Sequence, residues 1–262
     1  MTEGTVISPR GEEVRELVKA QLIVTPECNI YSWPEFRPIE KIRGYLRREL
    51  AWYLSGDRSA EPISKYASLW DRIKNEDGTL NSNYGYLVFH NRTPHPSLGP
   101  CTRTPFEWAA SSLIADKETR QAVITYNTGG FNFQGNKDYI CTQHQAFLIR
   151  DNVLRCFIAL RSSDAIYGLP FNMPWWSLVH QQLFHTLRPH YPELTLGNIE
   201  VDIYSAHVYQ RHYDVVNHMI ASPNIERWKL KLHEAIPIGE HRGLQWHQDH
   251  LRRYVSIIQA EG

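Results

Sequence analysis

"YICTQHQAFLIRDNVLRCFIALRSSDAIYGLPFN" occupies residues 139–172, and its reading decides the fold. Two β-like runs, TQHQAFLIR and VLRCFIALR, flank Asp151-Asn152, a pair suited to a two-residue hairpin turn. Pairing Arg150 with Val153 and carrying the register back places Cys141 opposite Ser162, with Arg161 beside it. A thiol near a guanidinium has its thiolate stabilised, and the thiolate is the nucleophile. The other reading of Cys141 is a buried structural cysteine, the usual place of a free thiol. Cys156 falls mid-strand among apolar residues and reads as core.

Outward from the hairpin, helical and extended patterns intersperse. IEKIRGYLRRELAWYLSGD (residues 39–57) sets Ile42, Tyr45, Leu46, Leu50, Tyr53 and Leu54 at spacings of three and four. That predicts a helix stopped at Ser55-Gly56-Asp57. FEWAASSLIADKETR (106–120) predicts a second helix and QAVITYN (121–127) a strand. MPWWSLVHQQLFHTL (173–187) predicts a long helix with Pro174 in its first turn. NIEVDIYSAHVYQRHYDVVNHMI (198–220) begins as a strand and ends as a helix. There is no repeat, low-complexity tract or linker, so one α+β domain over residues 1–262 is expected. The Pro/Thr/His-rich stretch 89–107 reads as a long surface loop or insertion.

The chain has 262 residues, with Lys plus Arg equal to Asp plus Glu at 28 each. Such neutrality gives no hint of polyanion binding, so no nucleic-acid partner is required. A small anion needs only a local arginine cluster. The opening MTEGTVISPRGEE lacks the apolar core of a signal peptide, and no apolar run reaches membrane-spanning length. Cys28, Cys101, Cys141 and Cys156 show no CxxC spacing, and four reduced thiols in a cytoplasmic protein are expected. Eight Trp and fourteen Tyr suit a pocket that stacks on flat rings, as well as an aromatic core.

Glu49 lies on the apolar stripe of its helix, among Tyr45, Leu46, Trp52 and Tyr53. A carboxylate there is either desolvated and poised for proton transfer, or paired with Arg47, Arg48 or a buried arginine. Arg120, Arg155 and Arg161 fall at or near strands, and no Gly-rich phosphate loop occurs. A bound phosphate would therefore be held by guanidinium forks. His241, His247 and His250, and His207 with His212, match no zinc spacing, so no metal is expected. A Cys-His hydrolase using Cys141 has no local signature.

Six blocks, in order, resemble the thymidylate synthase superfamily and, within it, the phage-type deoxycytidylate hydroxymethylases. RRELAWYLSGD is similar to the helix bearing that family's catalytic glutamate, which maps to Glu49. SLWDRIKNEDGTLNSNYGY resembles its Trp-to-Tyr segment, with Trp70 and Tyr84. DKETRQAVITY resembles the segment whose arginine, here Arg120, reaches the partner's phosphate site. YICTQHQAFLIRD resembles the nucleophile strand, with Cys141. LRSSDAIYGLPFN resembles the block with the Arg-Ser phosphate contact (Arg161, Ser162), Asp164 and the base-reading Asn172. SAHVYQRHY resembles the segment holding the sugar 3′-hydroxyl through His207 and Tyr209.

The resemblance implies a three-layer α/β arrangement around a mixed twisted sheet, and a homodimer formed by packing sheets back to back. It implies a pyrimidine nucleoside monophosphate as substrate and methylenetetrahydrofolate as co-substrate, with Glu49, Trp70 and Asp164 on the folate side. Arg10 in ISPRGEE stands near the place of an early phosphate-binding residue, in a loose alignment.

Four departures bear on the product. Thr142 follows the nucleophile where synthases usually carry His and the hydroxymethylase carries Thr. The C-terminal YVSIIQAEG does not resemble the synthase tail that excludes water, and NSNYG resembles the hydroxymethylase loop. Asn172, in contrast, is the synthase residue, whose amide matches O4 and N3–H of uracil. The expected activity is hydroxymethylation of dUMP at C5. The alternatives are thymidylate synthase, a (deoxy)cytidylate hydroxymethylase, and a catalytically silent relative that binds nucleotide or RNA.

Overall fold

Two residues in left-handed backbone, Asp151 (φ 52°) and Asn152 (φ 58°), close the predicted hairpin, as a two-residue turn between twisted strands requires. The structure is a computed structural model and describes residues 3–92 and 103–230. Its strands are β1 (Thr5–Ile7), β2 (Val14–Val24), β3 (Cys28–Ser32), β4 (Val123–Thr125), β5 (Thr142–Arg150), β6 (Val153–Leu160), β7 (Ser163–Asp164), β8 (Thr195–Tyr209) and β9 (Glu226–Leu230). Its α-helices are α1 (Ile39–Ser55), α2 (Glu61–Ser64), α3 (Leu69–Ile73), α4 (Pro105–Ala115), α5 (Leu169–Leu187) and α6 (Tyr213–Ala221).

Among the described residues seven strands form one mixed sheet in the order β1-β2-β8-β6-β5-β4, with β7 pairing to β8. β6 and β7 run parallel to β8 and the other pairs are antiparallel. A parallel partner needs a crossover, and α5 supplies it between β7 and β8. α5 packs against β6 and β8 on one side and against the small β3–β9 sheet on the other. It is therefore buried from Pro174 through His185, and Trp175 and Trp176 have no exposed surface. The α+β architecture matches the expectation.

Along β5, Gln145, Phe147 and Ile149 are buried while His144, Ala146, Leu148 and Arg150 remain partly exposed. The period of two thus gives the sheet a covered face towards α5, where Phe147 meets His180, and an opposite face that stays open.

Three boundaries differ from the sequence reading. α5 begins at Leu169 with Pro170 in its first turn, so Pro174 is an interior residue. Lacking an N–H, Pro174 gives no bond to the turn before it, the turn that carries Asn172. α4 stops at Ala115 because Asp116 turns extended (φ −145°) and its side chain accepts from Glu118 N at 2.9 Å. Lys117–Arg120 is consequently a turn, not helix. The third difference is in the hairpin register: Phe147 pairs with Cys156 as predicted, but the pairing shifts between Thr142 and His144. The irregularity at Gln143 places Thr142 opposite Leu160, and Arg161 N donates to Cys141 O at 3.0 Å. Cys141 is therefore opposite Arg161, not Ser162.

Candidate active site

The shifted register brings the arginine side chain itself to the sulfur. Arg161 Nη2 lies 3.4 Å from Cys141 Sγ. The guanidinium is held in place by Tyr139 O (2.7 Å) and Ile140 O (3.1 Å), and it reaches Ser162 Oγ at 3.1 Å. Its Cζ sits 5.1 Å from the centre of the Tyr139 ring. Cys141 is only partly buried. The sulfur is therefore not sealed in the core, and a fixed cation stands beside it. Thr142, the next residue, is fully buried. Its backbone N and Oγ1 contact Tyr84 Oη at 3.4 and 3.2 Å.

Tyr84 is set by a pinned loop. Asp138 Oδ2 accepts from Asn81 N (2.7 Å) and Ser82 N (2.8 Å), tying residues 81–84 to the segment that leads into Cys141. Burial raises the Asp138 carboxyl above its ordinary range despite these bonds. Gly85 lies so close to Tyr53 O that an added Cβ would sit 1.7 Å from it, so only glycine allows this approach. The contact stacks Tyr84 on Tyr53, ring centres 5.6 Å apart at 18°. Burial, then the nearby Cys141 sulfur, raises the Tyr84 hydroxyl well above its usual value.

Glu49 projects from α1, whose C-terminus is closed by Gly56 at φ 69°. Its carboxyl is 4% exposed and pairs with no arginine among the described residues; its partner is Tyr45, whose Oη donates to Oε1 at 2.9 Å. Arg48 turns away to Gly44 O and the Tyr66 ring. Desolvation pushes Glu49 up to about 8, with the Tyr45 bond opposing. Trp70 is 9% exposed and spends its Nε1–H on Tyr45 Oη at 2.8 Å. The tyrosine between them was on the helix stripe in sequence but was not read as a site residue. Its four-residue spacing from Glu49 was the available signal.

A further group of the sequence-read residues lies on β7 and β8. Asp164 pairs in register with His207, and Ala165 N donates to His207 O at 2.9 Å. Asp164 Oδ1 accepts from Ile166 N at 2.8 Å, and the His207 and Tyr209 rings meet edge-on at 5.2 Å. Arg10 lies on an exposed 3-10 turn with φ 56°, near enough to Tyr209 to oppose the rise that burial and then Asp164 impose on that hydroxyl. Asn172 sits in the first turns of α5, its backbone N bonded to Gly168 O at 3.0 Å.

Arg120 does not join these residues. It is exposed, just before β4, and the β4–β5 register puts it near the Arg150 end of β5. At about 3.3 Å per residue, Cys141 is some 25 Å away along the strand. Arg37 was not read from sequence at all. Its guanidinium stacks on Tyr167 (4.2 Å), Phe171 (5.3 Å) and Phe36 (5.4 Å), with no hydrogen bond or ion pair among the described residues.

His241, His247, His250, the C-terminal YVSIIQAEG and most of the 89–107 stretch lie outside the described residues. Among the described residues no group of three or more His, Cys, Asp or Glu is placed to hold a metal ion. Nor is any described helix long and apolar enough to cross a membrane. A cleft of about 390 Å³, lined by residues including Asp57, Glu61, Asp71, Lys74 and Asp77, contains neither Cys141 nor Glu49. That cleft belongs to the α2–α3 periphery.

The mixed sheet, with α5 as the crossover between β7 and β8, is a thymidylate synthase-like fold. The structure superposes on thermostable thymidylate synthase A from Bacillus subtilis with a TM-score of 0.60, at 16% identity, over 84% of this chain and 73% of that one. The thymidylate synthase family profile matches residues 42–256, and the chain belongs to that family. Among its relatives are the deoxycytidylate 5-hydroxymethyltransferases of Enterobacteria phages T6 and T4, 26% and 25% identical over 181 residues. Each match covers 66% of this chain and 70% of the relative. These relationships support a one-carbon transferase.

Proposed function

We propose that this protein is a folate-dependent C5 hydroxymethylase of a pyrimidine nucleoside 5′-monophosphate, with dUMP the favoured substrate. The observation that carries the proposal is the pairing of Cys141 Sγ with Arg161 Nη2 at 3.4 Å, in a chain that also buries the Glu49 carboxyl. C5 of a pyrimidine is a poor nucleophile. Bonding of Cys141 Sγ to C6 would make C5 electron-rich; C5 would take the one-carbon unit and lose its proton, the carrier amine would leave, water would add to the exocyclic carbon as the hydroxyl, and expulsion of the sulfur would restore the ring.

Glu49, with Tyr84 and ordered water, manages protons at the base and at C5. Arg161 and Ser162 hold the phosphate together with Arg10 and the partner subunit's Arg120, orienting C6 against the sulfur. His207 and Tyr209 hold the sugar hydroxyl, and Thr142 and Asn172 line the base. Methylenetetrahydrofolate supplies the one-carbon unit when bound. The ring faces of Tyr167 and Phe171, with the Arg37 cation stacked on them, fit a flat aromatic ligand that carries carboxylates. Glu49, Trp70 and Asp164 border that side.

We propose further that one catalytic domain spans residues 1–262 and acts as a homodimer through the open sheet face. Exposed Val18, Ile23 and Tyr204 belong to the β2–β8 part of the sheet, and Arg120 serves only a site across such an interface. A dCMP substrate is the second reading, favoured by the similarity to the phage deoxycytidylate enzymes. Asn172 favours uracil, since its amide both donates and accepts. Mass spectrometry of the product formed from dUMP or dCMP with methylenetetrahydrofolate tests the proposal. A hydroxymethyl increment on dUMP supports it. A methyl increment makes the protein a synthase, and no product from either nucleotide makes it a binding relative.

A further inference from the structure

Glu49 receives one hydrogen bond among the described residues, and Tyr45 gives it. Tyr45 lies one helical turn earlier on the same face of α1. Its hydroxyl takes the indole N–H of Trp70 on α3, and its ring meets Phe171 of α5 edge-on at 5.3 Å. One side chain thus joins the three elements that carry Glu49, Trp70 and Asn172.

Chemistry fixes the direction of the chain. An indole N–H only donates, so the Tyr45 oxygen accepts it and the Tyr45 O–H goes to Glu49 Oε1. An oxygen that accepts one bond donates the next more strongly. Oε1 is thereby occupied, and Oε2 is left for whatever enters the pocket.

We propose that Tyr45 is a positioning residue for proton transfer: polarised by Trp70, it fixes Oε1 of Glu49 so that Oε2 exchanges the proton with the nucleotide. The inference rests on the reading of Glu49 given under the proposed function. When Oε2 releases its proton, negative charge grows on the carboxyl and the Tyr45 O–H stabilises it. Tyr45 does not itself ionise, because burial and the facing carboxylate raise its hydroxyl far above its ordinary value. The ionisable groups around Glu49 are Tyr45 and Tyr53 on its own helix, with Tyr84 and Asp138 beyond Tyr53. No cation acts on it among the described residues, so the phenol is the principal polar influence on its charge.

The test is a carboxyl ¹³C NMR titration of glutamate-labelled protein, with Glu49→Gln used to assign the signal and near-ultraviolet circular dichroism used to check folding. Tyr45→Phe keeps the ring and removes the donor, and should raise the Glu49 midpoint by about one pH unit. Trp70→Phe leaves the donor unpolarised and should raise it less. In turnover, Tyr45→Phe should move the pH dependence of kcat in the same direction, with KM for the nucleotide unchanged. A Glu49 midpoint unmoved in a folded Tyr45→Phe protein overturns the proposal, as does a loss expressed in KM alone. Failure of the wild type to release tritium from 5-tritiated dUMP or dCMP would instead refute the one-carbon reading, while the titration still judges Tyr45.

Discussion

Cys141 and Cys156 are carried by the two arms of one hairpin. Cys141 stands just before β5, where the register shifts, partly exposed and 3.4 Å from Arg161. Cys156 lies in the middle of β6 with no exposed surface, and its sulfur meets Gln145 Nε2 at 3.3 Å. Burial pushes the Cys156 thiol far up, out of reach of thiolate chemistry at neutral pH. The same residue type is thus a nucleophile candidate at a bulged strand end and a packing group in the interior of the neighbouring strand. Position in the ladder decides which, because an irregular strand end frees a side chain from the two-faced packing of the sheet.

Substitution of each sulfur should separate the pair most sharply. Cys141→Ser should lower turnover by at least about 10³-fold. Cys156→Ser should leave kcat near wild type and cost on the order of 1–2 kcal/mol of stability, read by urea denaturation. Equal losses of activity would erase the distinction.

Arg161 is the next lever. Arg161→Ala should reduce kcat/KM by about 10- to 100-fold and slow alkylation of Cys141 by iodoacetamide, followed by peptide mass spectrometry. Cys156 should stay unlabelled in both proteins.

Gly85→Ala should destabilise the fold by about 2 kcal/mol or more, since its Cβ would press on Tyr53 O and part Tyr84 from Tyr53. Thermal unfolding reads the loss.

Glu49 predicts a subtler pH signature. Its folded midpoint, about 8, lies above the ordinary 4.5, so the folded chain holds an extra proton between these values. That stabilising contribution is complete below the ordinary value and is lost as the pH rises through about 8. Glu49→Gln should therefore flatten the fall in stability over this window, by on the order of 1 kcal/mol between neighbouring pH points, in urea titrations.

Much of this was legible in the chain itself. The 139–172 stretch specified the hairpin through its alternation and its Asp151-Asn152 turn, and the α1 stripe specified the buried place of Glu49. The bulge at Gln143 was not legible, because an extra residue in one strand leaves no mark in an alternation that short. Nor was the start of α5, where two prolines four apart each fit a first turn and only packing chooses between them. Tyr45 and Arg37 were missed for a related reason. Both act through rings and bonds from distant segments, which periodicity within one helix does not reveal. Arg120 was placed by resemblance alone, and within one chain it stays at the wrong end of β5 for the sulfur.

The central claim is that the Cys141 sulfur bonds to C6 of a pyrimidine nucleotide. Tritium release from 5-tritiated dUMP in the presence of methylenetetrahydrofolate, compared between wild type and Cys141→Ser, tests it directly. The account predicts release by the wild type and none above background by the serine variant. Release by Cys141→Ser at the wild-type rate would contradict it.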